Sequence, residues 1–64
     1  MNRFYIEVVY NDGSEFGFNV EIEGSPSGIV ANLNMITRGT LMASSAHHAN
    51  CYNSEGFVVC SYIR

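Results

Sequence analysis

The sequence predicts an α+β domain: an antiparallel sheet of three or four strands with one helix packed on one face. Three observations point there. Residues 3–10 and 15–23 alternate apolar and polar with a period of two, the spacing changes to a helical one after Gly28, and a second strand–turn–strand signature closes the chain.

In the first segment Phe4, Ile6, Val8 and Tyr10 share one face, and Arg3, Tyr5, Glu7 and Val9 share the other. The second repeats this with Phe16, Phe18, Val20 and Ile22 against Glu15, Gly17, Asn19, Glu21 and Glu23. Such alternation marks half-buried antiparallel strands. Asn11-Asp12-Gly13-Ser14 between them suits a type I turn with Gly13 in the left-handed region, which makes a hairpin. If the turn places position 3 opposite position 21, Arg3 faces Glu21 as a cross-strand pair.

Gly24 to Gly28 break the second strand, and Ser25 before Pro26 is an N-cap followed by proline at the first helical position, with Ser27 as the alternative cap. On a helical wheel Ile29, Val30, Leu33, Ile36, Thr37, Thr40, Leu41 and Ser44 form the side that should lie on the sheet. The helix is expected to fade around Ala46 to His48. Gly39 costs about 1 kcal/mol relative to alanine inside a helix, so Arg38-Gly39 is the candidate break. Ala49 to Tyr52 form either a strand or a loop. After a turn at Asn53-Ser54-Glu55-Gly56 comes Phe57 to Ile63, apolar at most positions, which suits a central strand. The order is therefore ββαββ or ββαβ.

The chain has 64 residues, enough for a single domain, 1–64, with one core. A domain this small buries only about 60% of its unfolded surface, so oligomerisation, a metal or a disulfide would add needed stability. Hydrophobic residues at 47% and charged residues at 14% argue for a folded globule rather than a disordered chain. Arg3, Arg38 and Arg64 stand against Glu7, Asp12, Glu15, Glu21, Glu23 and Glu55, a net charge of −3. That balance argues against direct nucleic-acid binding and fits a partner protein with a basic surface. No apolar run reaches membrane-spanning length and no signal-peptide layout is present, so a complete cytoplasmic product is expected. Cys51 and Cys60 are then read as reduced thiols in or near the core.

Catalytic equipment is sparse. His47, His48, Cys51 and Cys60 have the donor types of a zinc site, and His47 and Cys51 would share a face on a helical turn. Their spacing matches no standard zinc pattern, and no cofactor or metal is expected. A cysteine nucleophile would need an oriented base, and nothing in the spacing supplies one. The six glycines make neither a phosphate-binding loop nor a dinucleotide fingerprint. The expectation is a protein that is not an enzyme.

Two outward surfaces are candidates for binding. On the helix, Ala31, Met35, Met42 and Ala46 lie away from the sheet-facing stripe, beside a small-residue ridge of Gly39, Ala43 and Ala46. Arg38 is the only charge there. Exposed methionines are adaptable contact residues, and an apolar patch on a small protein marks an interface, with a partner or with a second copy as a homodimer. On the first hairpin, Glu7, Glu15, Glu21 and Glu23 share the polar face as an acidic stripe suited to a basic, nucleic-acid-binding groove on another protein. The expected function is a non-catalytic protein-binding module. In size, charge and lack of motifs, though not through any residue pattern, it is similar to phage and mobile-element inhibitors of host defence complexes such as anti-CRISPR proteins. A self-associating structural homodimer and a small Cys/His metal-binding protein are the alternatives.

Overall fold

Alternating side chains carry β1 (Asn2–Val9) and β2 (Glu15–Ile22), the helical period carries α1 (Pro26–Ala43), and β3 (His48–Tyr52) and β4 (Val58–Ile63) complete the order ββαββ. The structure is a computed structural model and describes residues 2–64. All strands join one antiparallel sheet in the order β2-β1-β3-β4. The short pairing of Ala49 to Tyr52 is thus a strand, and a central one.

The turns form for local reasons. Tyr10 N–H donates to the Ser14 carbonyl at 2.8 Å, and Gly13 N–H donates to the Tyr10 carbonyl at 3.0 Å. Gly13 takes φ +87°, a region where a side chain is strained. The Asp12 carboxylate accepts from both the backbone N–H and the hydroxyl of Ser14, and these bonds hold its pKa below the usual value. The register that follows sets Arg3 opposite Glu21, and their side chains meet at 2.9 Å. In the second hairpin the Asn53 side-chain carbonyl accepts from the N–H groups of Glu55 and Phe57.

Ser25 caps the helix, its hydroxyl accepting from Gly28 N–H at 3.2 Å, with Pro26 opening the first turn. The helix runs unbroken through Gly39 and stops at Ala43, earlier than its periodicity suggests. Ser44 turns to an extended conformation and satisfies the Leu41 carbonyl with both its N–H and its hydroxyl.

Two packed clusters form the core. Ile6, Ile29, Leu33 and Cys51 are buried in one, supported by half-buried Phe4, Phe18, Val20, Ile22 and Ile36. Val8, Leu41, Ala46 and Ala49 form the other, flanked by Tyr10 and Tyr62. Thr37 is the one buried polar side chain among the described residues, and Cys60 Sγ lies 3.5 Å from its hydroxyl.

The helix lies over β3 and β4, less over β1, and hardly over β2. This placement corrects three expectations. Phe16 is 60% exposed although it points to the helix side, because no helical residue reaches the far end of β2. Val30 sits on the rim of the sheet-facing stripe and is also exposed. β4 is an edge strand, not a central one; its apolar content comes from helix contact on one face and exposed Val58 and Ile63 on the other.

Arg64 has a structural role that sequence spacing did not reveal. The last turn of the helix carries no basic residue. Arg64 reaches across from the end of the sheet, donating Nε–H to the Ala46 carbonyl at 2.8 Å and Nη2 to the Leu41 carbonyl. A guanidinium there satisfies orphan carbonyls and opposes the negative end of the helix dipole. Arg64→Ala should cost about 1–2 kcal/mol, read as a thermal melt lowered by about 5–10 °C. An unchanged melt would mean that these bonds are replaced by water without loss.

Candidate protein-binding surfaces

The face of the sheet opposite the helix carries no covering element among the described residues, so its side chains can be read row by row from the strand register. One row runs Glu15, Val9, His48, Ile63. The next runs Gly17, Glu7, Asn50, Ser61, and a third runs Asn19, Tyr5, Tyr52, Val58. Arg3 and Glu21 close the far end.

The middle row is a bonded network. Glu7 accepts from Tyr52 Oη at 2.8 Å and from Asn50 Nδ2 at 3.4 Å, while Ser61 Oγ donates to Asn50 Oδ1 at 2.8 Å. The bond to the Glu7 carboxylate holds the Tyr52 phenol protonated and raises its pKa. Half-buried Glu7 is therefore committed inside the sheet, whereas Glu15, Glu21 and Glu23 are exposed along β2 and its exit. The acidic stripe is thus a rim on one edge of the sheet. Glu15 and Glu23 enter no ion pair among the described residues.

Tyr5 lies across Gly17. A Cβ at Gly17 would fall 1.9 Å from Tyr5 Oη, so the glycine is the seat of the ring. The outer face therefore presents two tyrosines, Tyr5 and Tyr52, beside a carboxylate rim. Of the three described arginines only Arg3 meets the rim, at Glu21, so Glu15 and Glu23 keep their charge without an ion pair among the described residues. Arg3 is paired with Glu21, Arg64 is spent on the helix terminus, and Arg38 is exposed on the helix.

The second surface is on the flank of α1. Asn34, Met35, Arg38, Gly39 and Met42 line a groove of about 480 Å³ with Tyr62 of β4, whose hydroxyl donates to Asn34 Oδ1 at 2.8 Å. Met35 and Met42 are 67% and 63% exposed. Ala46, expected on this patch, is fully buried instead: the helix has already ended, and the chain turns Ala46 inward against Val8, Leu41 and Ala49.

The histidines and cysteines do not form one site. His47 precedes β3 rather than ending a helix, so the helical spacing to Cys51 does not apply. His48 lies on the outer face, while Cys51 and Cys60 are directly opposed on the helix side. His47 Nδ1 and His48 Nδ1 approach to 3.2 Å at the surface. Among the described residues no group of three or more such donors could hold a metal ion. Burial, and then the neighbouring Cys60, push the Cys51 thiol up to about 11, which makes it a poor nucleophile near neutral pH. No described helix is long and apolar enough to cross a membrane.

Comparison with protein-family models, curated proteins and solved structures finds no match to this chain.

Proposed function

We propose that this chain is a non-catalytic protein-binding module whose uncovered sheet face, with its Glu15, Glu21 and Glu23 rim, docks on a basic surface of a partner protein. The observation that carries this reading is the pairing of two surface tyrosines with a carboxylate edge on which Glu15 and Glu23 enter no ion pair among the described residues. Tyrosine supplies large, rigid contact area with a polar tip. Exposed carboxylates steer association with a cationic partner and set its register. A surface that normally holds nucleic acid offers the fitting charge, so inhibition of a nucleic-acid-binding complex, as by mobile-element inhibitors of host defence, is the narrow form of the proposal.

Affinity capture from a lysate of cells that carry the gene tests it, comparing the wild-type chain with Glu15→Lys/Glu23→Lys. Both residues are exposed and unpaired, so the fold should tolerate the change. The wild-type chain should retain a protein that about 0.5 M salt or added DNA displaces, and the variant should lose at least about tenfold of it. Equal capture by both chains would sink the acidic-rim reading.

A further inference from the structure

We infer that two copies of this chain join β4 to β4 across a two-fold axis, making one eight-stranded sheet whose two helices pack through the Met35 flank. This goes beyond the acidic-rim reading and uses the opposite edge of the sheet.

The edge itself is the first argument. Arg64 N–H donates to the His47 carbonyl, and Cys51 stands opposite Cys60. In an antiparallel ladder this phase turns the main-chain groups of Cys60, Tyr62 and Arg64 toward β3 and those of Ser61 and Ile63 toward the open edge. The strand Val58–Ile63 holds no charge, proline or glycine. Edges that must stay unpaired normally carry such guards; the one guard on β4 is the bulge at Val58–Val59, which leaves Cys60–Ile63 as a regular open edge.

The other edge behaves differently. Pairing β2 with its own copy while keeping faces matched sets Glu15 against Glu23 in one register, and in another against Glu21, which Arg3 already partners. Like charges directly opposed disfavour that sheet. β4, Val58–Ile63, carries no charge and meets no such penalty in any register.

Helix placement is the second argument. The helix packs equally on β3 and β4, with a smaller share on β1, so its axis lies between β3 and β4, displaced toward β3. With strands about 4.8 Å apart, a two-fold just outside β4 would set the two helix axes roughly 10–12 Å apart. That is close to the 8–10 Å or so at which helices pack, and methionine side chains fill the remainder. Both helices fall on the same side of the joined sheet, because an axis normal to the sheet preserves its faces.

The side chains fit that axis. Tyr62 bonds Asn34, and Cys60 Sγ approaches the Leu33 carbonyl and Thr37, so Ser61 stands at the level of Met35. A two-fold at Ser61 places Met35 against Met35 of the second copy and Gly39 near its Ala31. Nothing lies within 4 Å of a Cβ built at Gly39, so that side of the helix is open for close approach. The two Arg38 side chains fall on opposite sides of the axis, about a screening length apart. On the outer face Ile63, 76% exposed, comes opposite the Val58–Val59 segment of the second copy across the seam. A stable dimer buries about 800 Å² per copy, about a fifth of the 4127 Å² surface of this chain.

Native mass by light scattering, combined with amide hydrogen exchange at about 0.1 mM, tests the dimer. The wild-type chain should have twice its 7.1 kDa mass, with Ser61 and Ile63 amides protected. Met35→Glu, which sets two carboxylates together on the axis at an exposed position, should return the chain to 7.1 kDa with an unchanged circular dichroism spectrum. In that variant the two amides should exchange at least about 100-fold faster. A monomeric wild-type chain, or a dimer in which Ser61 and Ile63 exchange freely, would overturn the inference. So would a dimer that Met35→Glu leaves intact, or protection that appears only when cell extract supplies another strand. Glu15→Lys/Glu23→Lys should leave the mass unchanged, which keeps failure of the dimer distinct from failure of the acidic-rim reading.

Discussion

Leu33→Ala should remove about half of the stability of this domain at 25 °C. Leu33 is fully buried where α1 meets Ile6 of β1 and Cys51 of β3, so its loss removes both apolar burial and the contact that seats the helix. Leucine-to-alanine changes at such sites cost about 2–5 kcal/mol, the upper part where the surroundings cannot collapse. A 64-residue domain has only about 3–10 kcal/mol of stability to lose. Phe18→Ala should cost less, because Phe18 is only half-buried beside exposed Phe16, with ring centroids 6.2 Å apart. Glu23→Ala should stay within about 0.5 kcal/mol. Urea titrations of the three variants check the order, and a Phe18 variant less stable than the Leu33 variant would contradict the placement of the helix.

The second large effect is alkaline. Cys51 titrates at an ordinary value of 9.0 when exposed and at about 11 in the fold, where burial and then Cys60 oppose its charge. The folded state thus holds this proton more tightly than the unfolded state. Its contribution is fully present below pH 9 and is lost as pH rises through 11. Tyr52 acts in the same direction, since its bond to Glu7 raises its pKa as well. Cys51 alone should take stability of the order of 2 kcal/mol from the domain over that window, and Tyr52 adds to the fall above its ordinary value of 10.0. Melting temperature should therefore fall steeply between pH 9 and 11. Cys51→Ala should flatten the Cys51 part of that fall, and Tyr52→Phe the rest. If both variants track the wild-type profile, other groups control the alkaline limit.

Residues 3–23 were legible because local chemistry decides them. A period of two, an Asp-Gly turn and a matched register suffice to fix the hairpin and the Arg3–Glu21 pair. The helix start was equally local, through Ser25 and Pro26. Long-range choices were less visible. The helix stops at Ala43 because Ser44 and Arg64 complete its last carbonyls, and Arg64 arrives from the far end of the chain. That early stop buries Ala46 and removes it from the methionine patch. The edge position of β4 is set by which strand β3 can reach beside β1, and an apolar run such as Val58–Ile63 suits either place. The acidic rim was legible as alternation, yet the commitment of Glu7 to Tyr52 and Asn50 depends on β3 pairing with β1.

Site-specific photo-crosslinking from the outer sheet face shows whether a partner docks at the carboxylate rim. A photoreactive phenylalanine analogue in place of Asn19, exposed on β2 beside Tyr5, should form an adduct with a different protein in cells that carry the gene. The same probe at Val30, on the exposed helix start, should give far less of that adduct, and DNA added to a lysate should suppress it. Strong adducts from Val30 with none from Asn19 would contradict the account, because the partner would then dock away from the carboxylate rim.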